Sequence, residues 1–244
     1  MLGTAAVLCL TGDFYGQNGN RILTLANAIS LADAQRLPLA VELHFWDWAL
    51  TLFNQTELTN FFDVSLKTQS TVCNRSITTK DSFYTKHAGF HPILARLRPN
   101  EHIRERAVAQ KLVYGSSPLV TVHIRGLNGQ CKQRASLRST FCFNKTLSYE
   151  YTCHYTPNAI RAHFTFLREK GLFVALSDGE NKQSEANFVS QSGLINQLPF
   201  FEQMWLASIS DYHFGNPMSS IDYVVAQWRG LYHLEPRSCY QKLS

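Results

Sequence analysis

Apolar and polar positions alternate in blocks along this chain, and the blocks follow a strand, turn, helix, strand order. The apolar run Thr4–Leu10 predicts a buried first strand, and the segment Thr11–Arg21 after it is rich in turn-forming residues. A helix is predicted from about Asn20, because apolar residues recur at helical spacing until Pro38 closes the connection. Leu39–Leu43 predicts a second parallel strand, which completes a βαβ unit.

The second half of the chain repeats this pattern as βαβαβα. Its first strand is the apolar stretch Leu119–Ile124, which ends in a basic pair at alternate positions, His123 and Arg125. Two further strands, Leu172–Leu176 and Leu194–Leu198, and three helices, from Thr156 to Gly171, Phe201–Ser208 and Ser219–Arg229, are predicted after it.

The region between the two halves has a less regular pattern. Aromatic residues cluster at His44–Trp48 and Phe61–Phe62, which favours core or inter-domain packing over a substrate platform. A charged helix is predicted over Glu101–Lys111, followed by the turn-rich segment Gly115–Pro118. We therefore predict an α/β protein of two Rossmann-like domains, residues 1–115 and 116–244.

Composition narrows the possible partners and compartments. An apolar content of 45% with 17% charged residues is typical of an ordered, compact protein. The net charge of +5 is spread along the chain, so no nucleic-acid-binding surface is expected. The apolar stretch Ala5–Leu10 is too short for a membrane span and lacks the pattern of a signal peptide, so no transmembrane segment is expected.

Cysteine and asparagine positions leave the compartment open. The six cysteines lack metal-ligand spacing and are too sparse for a disulfide scaffold, although a pair within the segment that holds Cys131, Cys142 and Cys153 is left open. N-glycosylation sequons start at Asn54, Asn74 and Asn144, a number close to chance for this composition.

Polar residues stand at the ends of three predicted strands of the second half: His123 with Arg125, Ser177 with Asp178, and the segment Asn216–Ser220. Each has a simple structural explanation alone, as a surface ion pair, a helix cap or an N-cap. The carboxyl ends of parallel strands meet at one edge of a sheet, however, and ligands bind there. The sequence therefore predicts one ligand site at this edge.

The residue types at that edge fit a nucleoside diphosphate. Arg125 can bind phosphate oxygens with two parallel hydrogen bonds, and Ser219 and Ser220 begin a helix whose free N–H groups favour an anion. Asp178 can accept two hydrogen bonds from a guanine edge, and His123 can reach a ribose hydroxyl. The sequence has no Walker loop or paired metal-binding carboxylates, so a metal-free diphosphate leaving group is expected.

Four short segments resemble the fucosyltransferase superfamily, which includes α1,2-, α1,6- and protein O-fucosyltransferases. Gly16–Arg21 resembles the amino-terminal G-R-x-G-N-Q element, and Val122–Arg125 is similar to the H-x-R strand end. Phe173–Asp178 resembles the strand that ends in Ser-Asp, and Phe214–Ile221 the G-N-x-x-S-T-F segment. Their order and approximate spacing agree with the superfamily over nearly the whole chain.

This resemblance implies a GT-B fold and an inverting, metal-independent transfer of fucose from GDP-fucose to a glycan or glycoprotein hydroxyl. The first domain would be the acceptor side and the second would bind the nucleotide sugar. The resemblance also implies the secretory pathway, in the Golgi or ER lumen. It assigns catalytic roles to Arg125 and Asn20. The residues it implies for donor binding are His123, Arg125, Asp178, Ser219, Ser220, Gly19 and Asn20.

The chain departs from the family pattern in three places. Gly126, Leu127 and Asn128 follow Arg125 where another arginine and an acidic residue are common. Gly179 replaces the second aspartate of an S-D-D form, and Ile221 replaces a phenylalanine. These departures keep two other hypotheses open: a non-catalytic descendant that binds nucleotide or glycan, and a different α/β nucleotide-dependent enzyme.

Overall fold

The structure, a computed structural model, divides into two compact units, Met1–Glu101 (unit 1) and His102–Ser244 (unit 2). It describes residues 6–84, 89–115, 118–124, 140–142, 145–147, 156–164, 167, 171–177, 179, 182–215, 219–230 and 238–241. The domain boundary predicted between residues 115 and 116 stays a prediction about domain organisation.

Unit 1 is a parallel sheet with helices in its connections. Its strands are β1 (Val7–Thr11), β2 (Leu39–Val41), β3 (Val64–Leu66) and β4 (Cys73–Thr78), in the spatial order β3-β2-β1-β4. Its helices are α1 (Asn18–Gln35), α2 (Leu43–Leu52), α3 (Gln55–Phe62), α4 (Thr79–Tyr84) and α5 (Phe90–Arg96). All three strand pairs are parallel, as the predicted βαβ unit requires.

Helix α1 confirms the helical spacing found in the sequence. The apolar positions that were predicted to face the core are buried: Ile22, Leu25, Ala26, Ile29 and Ala32. The helix ends at Arg36, which adopts a left-handed conformation with φ of 55° and donates its backbone N–H to the last turn.

The irregular middle region contains helices that the sequence pattern did not resolve. The predicted second strand extends too far, because β2 ends at Val41 and α2 begins at Leu43. The aromatic residues Phe45, Trp46 and Trp48 are buried members of α2, which agrees with the core-packing interpretation. Phe61 of the second aromatic cluster is instead 68% exposed.

A disulfide joins neighbouring strands of unit 1. Cys9 of β1 is bonded to Cys73 of β4, across a sequence separation of 64 residues. The sequence did not indicate this pair, because the two cysteines are far apart along the chain. Of the cysteines considered for pairing, Cys131 and Cys153 lie outside the described residues, and Cys142 is described only by its backbone.

Unit 2 is built on a seven-stranded sheet in the order β7-β6-β11-β10-β5-β8-β9. Its strands are β5 (Leu119–Ile124), β6 (Thr140–Cys142), β7 (Lys145–Leu147), β8 (Leu172–Ser177), β9 (Leu194–Ile195), β10 (Tyr212–Phe214) and β11 (Ser238–Gln241). Strands β11, β10, β5, β8 and β9 are parallel, and β6 and β7 add an antiparallel edge.

The helices of unit 2 largely follow the sequence pattern. They are α6 (Glu101–Val113), α7 (Pro157–His163), α8 (Lys182–Ser190), α9 (Phe200–Ile209) and α10 (Ser220–Trp228). Thr156 caps α7 and Pro157 follows at its first position, as predicted, but the helix ends at His163 rather than near Gly171. No described helix is both long and apolar enough to cross a membrane.

Strand β5 has one apolar face and one polar face. Val120, Val122 and Ile124 belong to the buried apolar cluster of unit 2, which also contains Phe173 and Phe214. The intervening positions Thr121 and His123 point to the opposite face, because strand side chains alternate. This interior strand of the sheet thus supplies apolar side chains to the core on one side and polar side chains on the other.

Candidate nucleotide-sugar site

The turn before α1 holds the predicted site residues Gly19 and Asn20. Gly16 has a φ of +72°, and a Cβ atom there would lie 2.1 Å from the Asn20 Nδ2. Glycine is therefore needed at position 16 both for its conformation and for the close approach of Asn20. Arg21 fixes the turn further, because its guanidinium lies 3.8 Å from the centre of the Phe14 ring.

His123, the predicted ribose ligand, is held in place by a buried carboxylate of α10. Its Nδ1 lies 2.6 Å from the Asp222 Oδ2, and the exposed fractions of the two side chains are 7% and 3%. The other oxygen of Asp222 lies 3.0 Å from the Nε2 of His213, in the neighbouring strand β10. One carboxylate thus joins β5, β10 and the first turn of α10.

The polar chain continues behind His213. Thr121 pairs with His213 in the sheet register, and its Oγ1 lies 3.0 Å from the His213 Nδ1. The Thr121 Oγ1 also lies 2.8 Å from the Oγ of Ser210. The Arg229 guanidinium donates to the backbone oxygen of Ser210 at 2.8 Å. The buried side chains Thr121, His213 and Asp222 of this face therefore hydrogen-bond one another, as burial of polar groups requires.

The environment fixes the charges in this network. Burial raises the pKa of Asp222, but the nearby His123 and the hydrogen bonds from both imidazoles outweigh it and hold the pKa well below its usual range. Burial lowers the pKa of the His213 imidazole, against the opposing effect of Asp222. Asp222 is therefore an ionised acceptor at neutral pH, and His213 is neutral.

Gly215 makes room for Asp222. A Cβ atom at Gly215 would lie 2.8 Å from the Asp222 Cγ and 2.9 Å from its Cβ. These atoms belong to a buried side chain that cannot move aside cheaply, so any larger residue at position 215 would displace the carboxylate. This gives the glycine of the Phe214–Ile221 segment a structural reason within the chain itself.

Ser219 and Ser220 lie at the beginning of α10, as predicted. Ser219 is the N-cap residue, and its Oγ accepts the backbone N–H of Ile221 at 3.2 Å. Ser220 is the first residue of the helix and is partly exposed. The structural explanation of an N-cap therefore applies to Ser219, and the start of a helix is in general a favourable place for an anion.

The structure brings three of the predicted residues, His123, Ser219 and Ser220, to one edge of unit 2, because Asp222 ties β5 to the start of α10. Gly19 and Asn20 belong to unit 1. Arg125 and Asp178 lie outside the described residues.

Arg125 and Asp178 each come directly after the last residue of a strand in the sequence, and these two last residues are paired in the sheet. Ile124 and Ser177 are opposite each other in the parallel register of β5 and β8. The Ser177 Oγ accepts the backbone N–H of Gly179 at 3.2 Å. A hydrogen bond from Ser177 lowers the pKa of Glu185 in α8.

Sequence reasoning missed Asp222, His213 and Glu185. An acidic residue in the first turn of a helix is a recognisable signal, and Asp222 occupies that position. Its pairing with two histidines depends on strand order, which no local pattern gives. Among the described residues, no group of histidine, cysteine, aspartate or glutamate side chains could hold a metal ion.

No protein-family model matches this sequence, and no curated protein is similar to it in sequence. Solved structures, however, share its fold over almost the whole chain. The structure of POFUT1 in complex with GDP-fucose is 12% identical, covers 99% of this chain and 98% of its own, and has a TM-score of 0.65. That of NodZ α-1,6-fucosyltransferase co-crystallised with GDP is 12% identical, covers 91% and 92%, and has a TM-score of 0.57.

This chain has the fold of the fucosyltransferases. The predicted fold class, an α/β protein of the GT-B-like kind with two Rossmann-like units, is confirmed. At 12% identity this likeness concerns the fold alone.

Proposed function

We propose that this protein is an inverting, metal-independent glycosyltransferase that transfers fucose from GDP-fucose to a hydroxyl group of a glycan or protein. The observation that carries the proposal is the shared fold, which extends over 99% of the chain in a structure that contains GDP-fucose. The polar edge of unit 2 supports it, since His123 and the start of α10 are joined there by Asp222.

The donor would bind at this edge of unit 2. We assign the diphosphate to Arg125 and to the N–H groups at Ser219 and Ser220, because a guanidinium and a helix start both favour anions. We assign the guanine to Asp178 and the ribose to His123. Gly19 and Asn20 are assigned to the sugar and the acceptor.

The proposed reaction is a single displacement. The acceptor hydroxyl oxygen would attack the anomeric carbon of fucose while the bond from that carbon to the β-phosphate oxygen breaks, which inverts the configuration. The hydroxyl proton would pass to the departing phosphate or to water. Negative charge develops on the departing diphosphate, and Arg125 and the helix start would stabilise it without a metal ion.

A thermal-shift panel tests the donor directly. At a concentration of one hundred times its dissociation constant, a ligand of the folded state adds about 2.7 kcal/mol of stability. For 244 residues this corresponds to a rise in Tm of about 5 °C. We expect this rise with GDP and GDP-fucose but not with UDP, ADP or NAD. A response to NAD or ADP alone would favour a different nucleotide-dependent enzyme.

Substitution of Arg125 tests the reaction. Arg125→Ala should lower fucose transfer by at least about a hundredfold, the loss expected for an electrostatic group that stabilises a transition state. Arg75→Ala is the matched control, because Arg75 is an exposed residue of β4 in unit 1. Transfer by Arg125→Ala at the rate of the control would refute the assignment.

A non-catalytic binding protein is the second candidate, and the glycines at positions 126 and 179 favour it. It predicts GDP binding by calorimetry without transfer or donor hydrolysis on any of a broad panel of glycan and protein acceptors. Release of GDP that depends on an acceptor would exclude it.

A further inference from the structure

The carboxylate of Asp222 contacts two histidines, although the proposed reaction gives Asp222 no role of its own. Asp222 is 3% exposed and lies against two imidazoles, at 2.6 Å from the His123 Nδ1 and 3.0 Å from the His213 Nε2. A carboxylate that is ionised only accepts hydrogen bonds, so both nitrogens must carry the protons. The contacts therefore specify which nitrogen of each ring is protonated.

For His123, Nε2 is therefore the ring nitrogen that can bind a ligand. Among the residues that the structure describes, none forms a hydrogen bond with it, whereas Nδ1 is fully used by Asp222. In the neutral ring Nε2 is then an acceptor, as a ribose hydroxyl donor requires. With the proton on Nε2 instead, the ring would donate to that hydroxyl and could not accept from it.

The carboxylate is itself fixed from three sides. His213 holds its other oxygen, and Thr121 occupies the far nitrogen of that ring. Gly215 packs directly against the Asp222 side chain, so close that an added Cβ would lie 2.8 Å from the Asp222 Cγ. A carboxylate held this firmly orients His123 as well as pairing with it.

We propose that Asp222 is a positioning residue of the donor site, which holds the Nδ1 proton of His123 and so presents Nε2 to the nucleotide sugar. This inference rests on the proposed function for the identity of the ligand. The proton assignment rests only on the contacts within unit 2 and holds in the free protein.

Nitrogen NMR of the protein labelled with ¹⁵N-histidine tests the proton assignment without any ligand. We expect His123 to carry its proton on Nδ1. The His123 ring signals are assigned as those that disappear from the spectrum of His123→Asn. A His123 ring with a bare Nδ1 overturns the inference, whether or not the protein binds a nucleotide.

Two variants test the consequence for donor binding, measured as GDP affinity by calorimetry. Asp222→Asn keeps the shape but offers one acceptor and one donor, so it cannot accept from both rings. We expect a loss of GDP affinity of about tenfold. Asp211→Asn is the matched control, because Asp211 is a carboxylate of the same unit that accepts the backbone N–H of Leu119 at the other end of β5.

The control separates positioning from a purely structural role. Both variants should lower Tm, but Asp211→Asn should retain the wild-type affinity within about twofold. Equal GDP affinity in wild type and a folded Asp222→Asn overturns the inference. So does an equal loss of affinity in both variants, since that would be an effect of stability alone.

His123→Asn keeps the test valid if Asp222→Asn does not fold. The asparagine amide can donate to Asp222 in place of Nδ1, but it has no group at the position of Nε2. We expect a folded protein with GDP affinity reduced about tenfold. Wild-type affinity in this variant overturns the inference, whereas absence of GDP binding in the wild type would instead refute the proposed function.

Discussion

The bond between Cys9 and Cys73 offers the most quantitative test of the fold. It closes a chain segment with a sequence separation of 64 residues and joins two neighbouring strands of unit 1. Cys9 is fully buried, whereas Cys73 is partly exposed. Cys73→Ser is therefore the preferred perturbation, because it breaks the bond while leaving the buried sulfur in place.

The expected loss follows from the length of the closed loop. In the chain-entropy model, a loop of this size restricts the unfolded state by about 4 kcal/mol at 25 °C. If unit 1 unfolds on its own, with about one hundred residues, Tm should fall by about 15–20 °C. If the whole chain unfolds together, the expected fall is about 8 °C. The size of the shift therefore also measures the cooperative unit.

Calorimetry with and without a reducing agent provides the assay. Reduction of the wild type should lower Tm by the same amount as Cys73→Ser, and reduction should have little further effect on the variant. Non-reducing peptide mapping must show the Cys9–Cys73 link in the wild type. A link confirmed in this way, together with a Tm that changes by less than about 3 °C on its removal, would refute the reasoning about the unfolded chain.

Three further predictions concern single positions. Gly16→Ala should cost about 1–3 kcal/mol in denaturant unfolding, and more than Gly115→Ala. The φ of Gly115 is also positive, but an added Cβ there would meet no atom of the described residues within 4 Å, so equal losses would contradict the close contact at Gly16. Asn27→Leu should raise the free energy of unfolding by about 1–3 kcal/mol, because both polar atoms of this buried amide lack a partner among the described residues, and a decrease would indicate a bound water. The lowered pKa of buried His213 means that the unfolded state takes up a proton first as the pH falls below 6.5, so stability should decrease by up to about 1.4 kcal/mol per pH unit there. His213→Gln should lack this part of the slope, and an unchanged slope would argue against a neutral His213.

Helices and strands with a clear pattern of apolar residues were predictable from the sequence, whereas very short strands and a helix rich in aromatic residues were not. Helix α1 was found because apolar residues recur over several turns, and strands β5 and β8 because each is a short, almost continuous apolar run. Helix α2 was missed, since apolar residues occupy most of its positions and leave little periodic contrast. Strand β9 has only two residues, too few for any pattern to fix its end.

Those site residues whose positions depend on local sequence patterns could be predicted from the sequence. His123 at a strand end and Ser219 at a helix start were found from local patterns, because parallel strands bring such positions together. Asp222 and His213 were not, since β10 precedes α10 in sequence but lies beside β5 in space. A contact between residues 99 positions apart depends on that strand order and not on the local sequence.

In both units a polar residue near the start of a helix packs against a glycine, but the hydrogen bonds of the two polar residues differ. Asn20 and Asp222 are each the third residue of a helix, and each packs against a glycine of the preceding turn, Gly16 or Gly215. Asp222 uses both oxygens within unit 2, whereas the Asn20 amide has no hydrogen bond among the described residues. A half-buried amide that has no partner among the described residues retains its capacity to bind a ligand. The same position therefore supplies an internal support in unit 2 and a candidate ligand-binding group in unit 1, which is why we assign Asp222 to positioning and Asn20 to the substrate.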